Sequence, residues 1–93
     1  MTFWLAELQK SDAKVRKKAV KELGHIGKAD PAAIPAVIGA LKDADPAVRA
    51  EAALALLNLG PDASAAVPAL AEAAKDKDPK VREYAAKALE KIR

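Results

Sequence analysis

The sequence predicts an all-α fold, a right-handed α-α solenoid of about three stacked helical pairs. Three observations predict it. A segment recurs with a 33-residue period, beginning at Asp12-Ala13-Lys14-Val15-Arg16, Asp45-Pro46-Ala47-Val48-Arg49 and Asp78-Pro79-Lys80-Val81-Arg82. A fixed period in this range marks a stacked repeat array. The composition is 52% hydrophobic but 3% aromatic, with 24 alanines among 93 residues, and Ala is the best helix former and is depleted in strands. In each copy the apolar positions recur at helical steps of four, four and three.

The first helix of each copy, helix A, is defined by those positions. Val15, Ala19, Leu23 and Ile26 align with Val48, Ala52, Leu56 and Leu59, and with Val81, Ala85, Leu89 and Ile92. Such spacing places them on one helical face. Asp12, Asp45 and Asp78 are expected N-caps, two of them followed by Pro46 and Pro79 at the first helical position. Gly27 and Gly60 are expected stops. Helix A is therefore expected over 12–27, 45–60 and 78–92.

A second helix, B, follows each stop. Ile34, Val37, Ile38 and Leu41 are spaced i, i+3, i+4, i+7, and Val67, Leu70, Ala71 and Ala74 fill the same slots one period later. Pro35 and Pro68 recur near the start, where an interior proline would cost roughly 3 kcal/mol, so a loose first turn is expected there. Met1, Trp4, Leu5 and Leu8 fall one period before the Ile34 set. Helix B is thus expected over 2–10, 34–43 and 66–76. The chain reads as one domain, 1–93, with a partial repeat at 1–11, full repeats at 12–44 and 45–77, and a partial repeat at 78–93. The outward slots of helix B, including Ala36, Ala40, Ala69 and Ala73, form a small, bland inner face.

The period needs adjudication, because ankyrin and tetratricopeptide arrays have periods of 33 and 34. The Thr-Pro-Leu-His of the first and the Trp, Leu-Gly and Tyr pattern of the second are absent here. The run Asp45-Pro46-Ala47-Val48-Arg49 through Leu59-Gly60 resembles the first helix of a HEAT repeat, and Ala66-Val67-Pro68-Ala69-Leu70 the start of its second. The chain is most similar to the short bacterial HEAT-like repeats of the phycobilisome-lyase type. The resemblance implies the stacked fold. It also implies that Arg16, Arg49 and Arg82 reach the cap or loop of a neighbouring repeat as a ladder between layers.

Little in the sequence carries chemistry. There is no Cys, so neither a disulfide framework nor a thiolate metal site is available. His25 is the only histidine. It occupies a variable slot matched by Asn58 and Lys91, and it reads as a surface residue. No Gly-rich phosphate loop, nucleophile with a base or paired carboxylate in an apolar slot occurs. We therefore expect no enzyme, no catalytic residue, no metal and no cofactor. No N-terminal positive run leads into an apolar stretch, and the longest apolar run, Ala52–Leu57, is too short for a membrane span. The expectation is a cytoplasmic chain with no membrane partner.

The remaining signals concern surfaces. Net charge is +3, distributed as +3 over residues 1–43, −3 over 44–74 and +3 over 75–93. Lys14, Lys17, Lys18 and Lys21 form a candidate phosphate-binding strip on the first helix A. The strip does not continue on the second, and a nucleic-acid footprint would be one continuous stripe. In the middle helix A the slots of Lys14, Lys17, Lys21 and Gly24 hold Ala47, Ala50, Leu54 and Leu57. This second apolar stripe either packs at the flank between A helices or forms an exposed patch. Phe3 and Tyr84 are aromatics in slots that are polar or small in the other copies, and Phe3 also fits an open edge of the array. The candidate partner-binding residues are Phe3, Ala50, Leu54, Leu57 and Tyr84. The expected function is a non-enzymatic protein–protein interaction scaffold, a monomer or weak homodimer. The alternative is a nucleic-acid-binding array using the basic outer helices. The regularity of the copies fits both a natural duplicated module of a larger protein and an engineered repeat protein.

Overall fold

The three Asp caps form as the spacing requires. The computed structural model describes residues 1–92. Asp12 accepts the Lys14 N–H at 2.8 Å, Asp45 the Ala47 N–H at 2.8 Å, and Asp78 the Lys80 N–H at 2.9 Å. Each carboxylate satisfies one backbone donor that a helix start leaves without a partner. Six α-helices follow among the described residues. They are α1 (Thr2–Glu7), α2 (Ala13–Ala29), α3 (Ile34–Gly39), α4 (Pro46–Leu59), α5 (Val67–Ala73) and α6 (Pro79–Ile92). Helices α2, α4 and α6 are the three A helices, and α1, α3 and α5 the three B helices.

The B helices are short and begin as expected. Turns of 3-10 helix at Pro31–Ala33 and Gly60–Ala66 lead into α3 and α5, with Asp30 capping the first through the Ala32 N–H at 3.0 Å. This loose turn leaves Pro35 and Pro68 within the first two positions of α3 and α5, where the missing N–H costs nothing.

One of the two expected stops fails. Helix α4 ends at Gly60, whose φ of 63° and ψ of −141° suit a residue without a Cβ. Helix α2 runs through Gly27 to Ala29. Gly27 serves packing instead: a Cβ there would lie 3.2 Å from Ile34 Cγ1 and 3.3 Å from Leu59 Cδ2.

Helix α2 packs on α4 and α4 on α6, forming one layer, and the B helices pack against these as a second layer. The stack measures 31 × 29 × 15 Å. Leu23, Leu56, Leu70, Val20, Val37, Val48 and Val81 are its largest fully buried side chains. Val15 and Ile26 of the first copy are only half-buried, although their counterparts Val48, Val81, Leu59 and Ile92 are buried. Helix α2 lies at the edge, and only the short α1 covers that side.

Two features of the inner face differ from expectation. Ala40 and Ala73 are buried at 8% and 6% exposure, whereas Ala71, expected inside, is exposed. Ala33, Val37 and Ala40, like Ala66, Leu70 and Ala73, are buried at i, i+4, i+7, so the inward face is helical but centred about one position earlier than expected. The segment Pro46–Ala73 is apolar enough to resemble a membrane span by composition. Gly60 divides it, and the 14 residues of α4 reach only about 21 Å, short of the roughly 30 Å hydrocarbon core.

Candidate interaction surface

The recurring arginines are structural. Arg16 grips Asp43 with two hydrogen bonds, Nε to Oδ2 at 2.9 Å and Nη2 to Oδ1 at 3.1 Å. Arg49 grips Asp76 the same way at 2.8 and 3.2 Å. In each, Nη1 also donates to two backbone carbonyls, those of Lys10 and Ser11 for Arg16 and of Asp43 and Ala44 for Arg49. The acceptor aspartates then take the N–H of Asp45 and Asp78, both at 2.9 Å. Each arginine thus ties an A helix to the loop that leads into the next A helix. Fork-to-fork pairs of this kind are the stronger class of ion pair.

Charge and burial shape these carboxylates. Partial burial pushes the Asp43 carboxyl up, but the Arg16 hydrogen bonds, the Asp45 N–H and the Arg16 and Arg49 charges outweigh it and hold it below the ordinary value. The Arg49 hydrogen bond dominates at Asp76, and with the Asp78 N–H and nearby cations it holds that carboxyl low against the opposing effect of burial. Arg82 repeats the grip on two carbonyls, those of Asp76 and Lys77. It has no carboxylate partner among the described residues.

A depression on the inner side is lined by Leu41, Lys42, Asp43, Arg49, Ala69, Glu72, Ala73, Asp76 and Lys77. Asp43, Arg49 and Asp76 are engaged in the ladder, while Lys42, Glu72 and Lys77 are exposed. No cluster of three metal-ligating side chains occurs among the described residues. His25 is exposed, 3.9 Å from Glu22.

The outer side is different. Three shallow depressions run along the exposed faces of α2, α4 and α6, and Glu51 borders all of them. One gathers Lys14, Lys17, Lys18 and Lys21 with Glu22, so α2 presents the four lysines together. Another has a floor of Ala47, Ala50, Leu54 and Tyr84, with Lys17 of α2 on one rim and Lys80 of α6 on the other. The basic residues of the outer helices therefore meet across the neutral middle helix, which a linear reading of charge does not show.

The five candidate contact residues separate here. Leu54 and Tyr84 share the floor and are half-buried. Ala50 lines the same floor at 9% exposure, packed between helices. Leu57 is half-buried against the core and borders none of the three depressions. Phe3 stands apart on α1 at 62% exposure, stacked edge-on against Trp4 with ring centroids 4.8 Å apart. Trp4, expected in the core, is half-buried at its margin.

Sequence reasoning missed four residues that matter here. Asp43 and Asp76 hold the ladder, and their recurrence at the 33-residue period, each 27 residues after its arginine, was the available signal. Glu51 and Lys80 gain their place only from the stacking of α4 on its neighbours.

A family model for HEAT repeats matches residues 1–89, and the chain belongs to the HEAT repeat family. Members are typically non-enzymatic scaffolds, and HEAT repeats generally mediate protein–protein interaction. No curated protein matches the chain at a significant level.

Proposed function

We propose that the chain is a non-enzymatic protein–protein interaction scaffold whose contact surface is the outer face of α2, α4 and α6. The observation that carries this reading is the floor of Ala47, Leu54 and Tyr84 at the centre of that face. Tyr84 lies at that floor, and aromatic residues are enriched at interaction surfaces. The reading extends to a cytoplasmic monomer or weak homodimer.

A second reading, nucleic-acid binding, gains from the convergence of Lys14, Lys17, Lys18 and Lys21 with Lys80. Against it, the lysine strip of α2 does not continue on α4, where Glu51 takes the place of a cation, and a nucleic-acid footprint is one continuous basic stripe. A duplex DNA titration across a salt series separates the two. The scaffold reading predicts no saturable binding at physiological salt. Saturable binding that falls steeply with salt, and is lost when the four lysines of α2 become Glu, would establish the second reading instead.

A further inference from the structure

The outer face carries more information than its apolar floor. Lys14, Lys17, Lys18, Lys21, Lys28 and Lys80 line the three depressions, against Glu22 and Glu51 as the only carboxylates. Six cations against two anions leave an excess of four. All six lysines are exposed, and none is in an ion pair among the described residues. The ion pairs that form lie in the ladder, at Lys10–Glu7 and at Lys87–Glu83. The three depressions therefore carry an excess of exposed lysine around a small apolar centre.

We propose that this face docks an acidic, amphipathic segment of another protein, a short helix with carboxylates on its flanks and one apolar anchor. This rests on the scaffold reading above and names the chemistry of the partner. The anchor covers Ala47, Leu54 and the Tyr84 ring, while flanking carboxylates meet Lys17 on one rim and Lys80 on the other. Charge complementarity selects the partner and speeds its encounter, and the anchor supplies the hold. A uniform polyanion satisfies the rim alone and leaves the apolar floor wet. A basic segment meets like charge on both rims.

The test is a titration of the chain with a short synthetic peptide rich in Glu and bearing a single Trp or Leu, followed by backbone amide shifts. Polyglutamate, the same peptide with every Glu replaced by Lys, and duplex DNA are the comparisons. We expect the acidic peptide to shift amides within 47–54 and 80–84, and polyglutamate to bind at least about tenfold more weakly, the loss typical of removing a buried anchor. Lys17→Glu combined with Lys80→Glu, both at exposed positions, should leave the melting temperature unchanged. The pair should weaken the peptide about tenfold and flatten its salt dependence. Tyr84→Ala should weaken the peptide without changing the salt dependence. Polyglutamate binding as tightly as the peptide would overturn the proposal, as would shifts confined to the inner face. Preferential binding of the basic peptide would sink the acidic partner class while leaving the scaffold reading standing. Tight binding of duplex DNA that depends on Lys17 and Lys80 would overturn both.

Discussion

Gly24 sits in the interior of α2 where it faces α4, and replacing it with Ala isolates the cost of helix contact. Two effects oppose each other. Ala is favoured over Gly in a helix interior by about 0.5–1 kcal/mol. The new Cβ, however, would stand 2.8 Å from the Cβ of Ala55, where ordinary carbon contacts lie at about 3.5–4.0 Å. The two helices would have to part by roughly 1 Å at a point flanked by Val20, Leu23 and Leu56, all fully buried. Overpacking of this kind costs about 1–3 kcal/mol. The net expectation for Gly24→Ala is a loss of about 1 kcal/mol or more, lowering the melting temperature by about 4–8 °C for each kcal/mol in a domain of this size. Gly39 is the control. It is helical, with φ −59° and ψ −33°, and a Cβ there meets nothing within 4 Å. Gly39→Ala should therefore stabilise by about 0.5–1 kcal/mol. Thermal melts followed by circular dichroism compare the two. A Gly24→Ala variant as stable as Gly39→Ala would refute the close packing of α2 on α4.

The ladder and its response to acid supply further predictions. Arg49→Ala removes four hydrogen bonds and strands Asp76, and should cost about 2–4 kcal/mol by urea denaturation. Arg82→Ala, which loses contact only with two carbonyls, should cost about 1 kcal/mol or less. Arg49→Lys should not restore stability, because an ammonium cannot reproduce the fork that grips Asp76. The acid response follows from Asp43 and Asp76, whose folded-state pKa values lie below their ordinary 3.8. Their contribution is complete well above that value and is lost as pH falls through it to the lower folded value. Asp43→Asn combined with Asp76→Asn should lower stability at neutral pH and flatten its fall below about pH 4, measured as melting temperature against pH.

The repeat itself was legible because its signals are local. The N-caps, the apolar face at steps of four and three, and the prolines at the starts of α3 and α5 all act within a single helix. What the sequence concealed was set between helices. Gly27 looks like a stop, but contact with Ile34 and Leu59 favours a bare position inside a longer helix. Ala40 and Ala73 are buried because packing on the A helices centres the inward face one position before the one read from the apolar series. Ala50 looked like one member of an outer stripe with Leu54 and Leu57. Stacking divides the three: Ala50 is buried, Leu57 packs against the core, and Leu54 stays half-open. The convergence of Lys17 and Lys80 was hidden for the same reason. They are 63 positions apart in the chain and meet only when three A helices lie side by side.

Leu54 decides whether the middle of the outer face is kept for a partner rather than for the fold. It is half-buried, so Leu54→Lys should cost about 1 kcal/mol, since the aliphatic stem of lysine can still lie along the floor. Leu56, two positions on, has no exposure, and Leu56→Ala should cost about 2–5 kcal/mol. Paired melts of the two variants, with titration of each by the acidic peptide at a temperature where both remain folded, measure stability and recognition together. The account predicts a small drop in melting temperature and abolished binding for Leu54→Lys, with a large drop and retained binding for Leu56→Ala. If Leu54→Lys is as destabilising as Leu56→Ala, Leu54 belongs to the core; if it binds the peptide as the unmodified chain does, the outer face is not the contact surface.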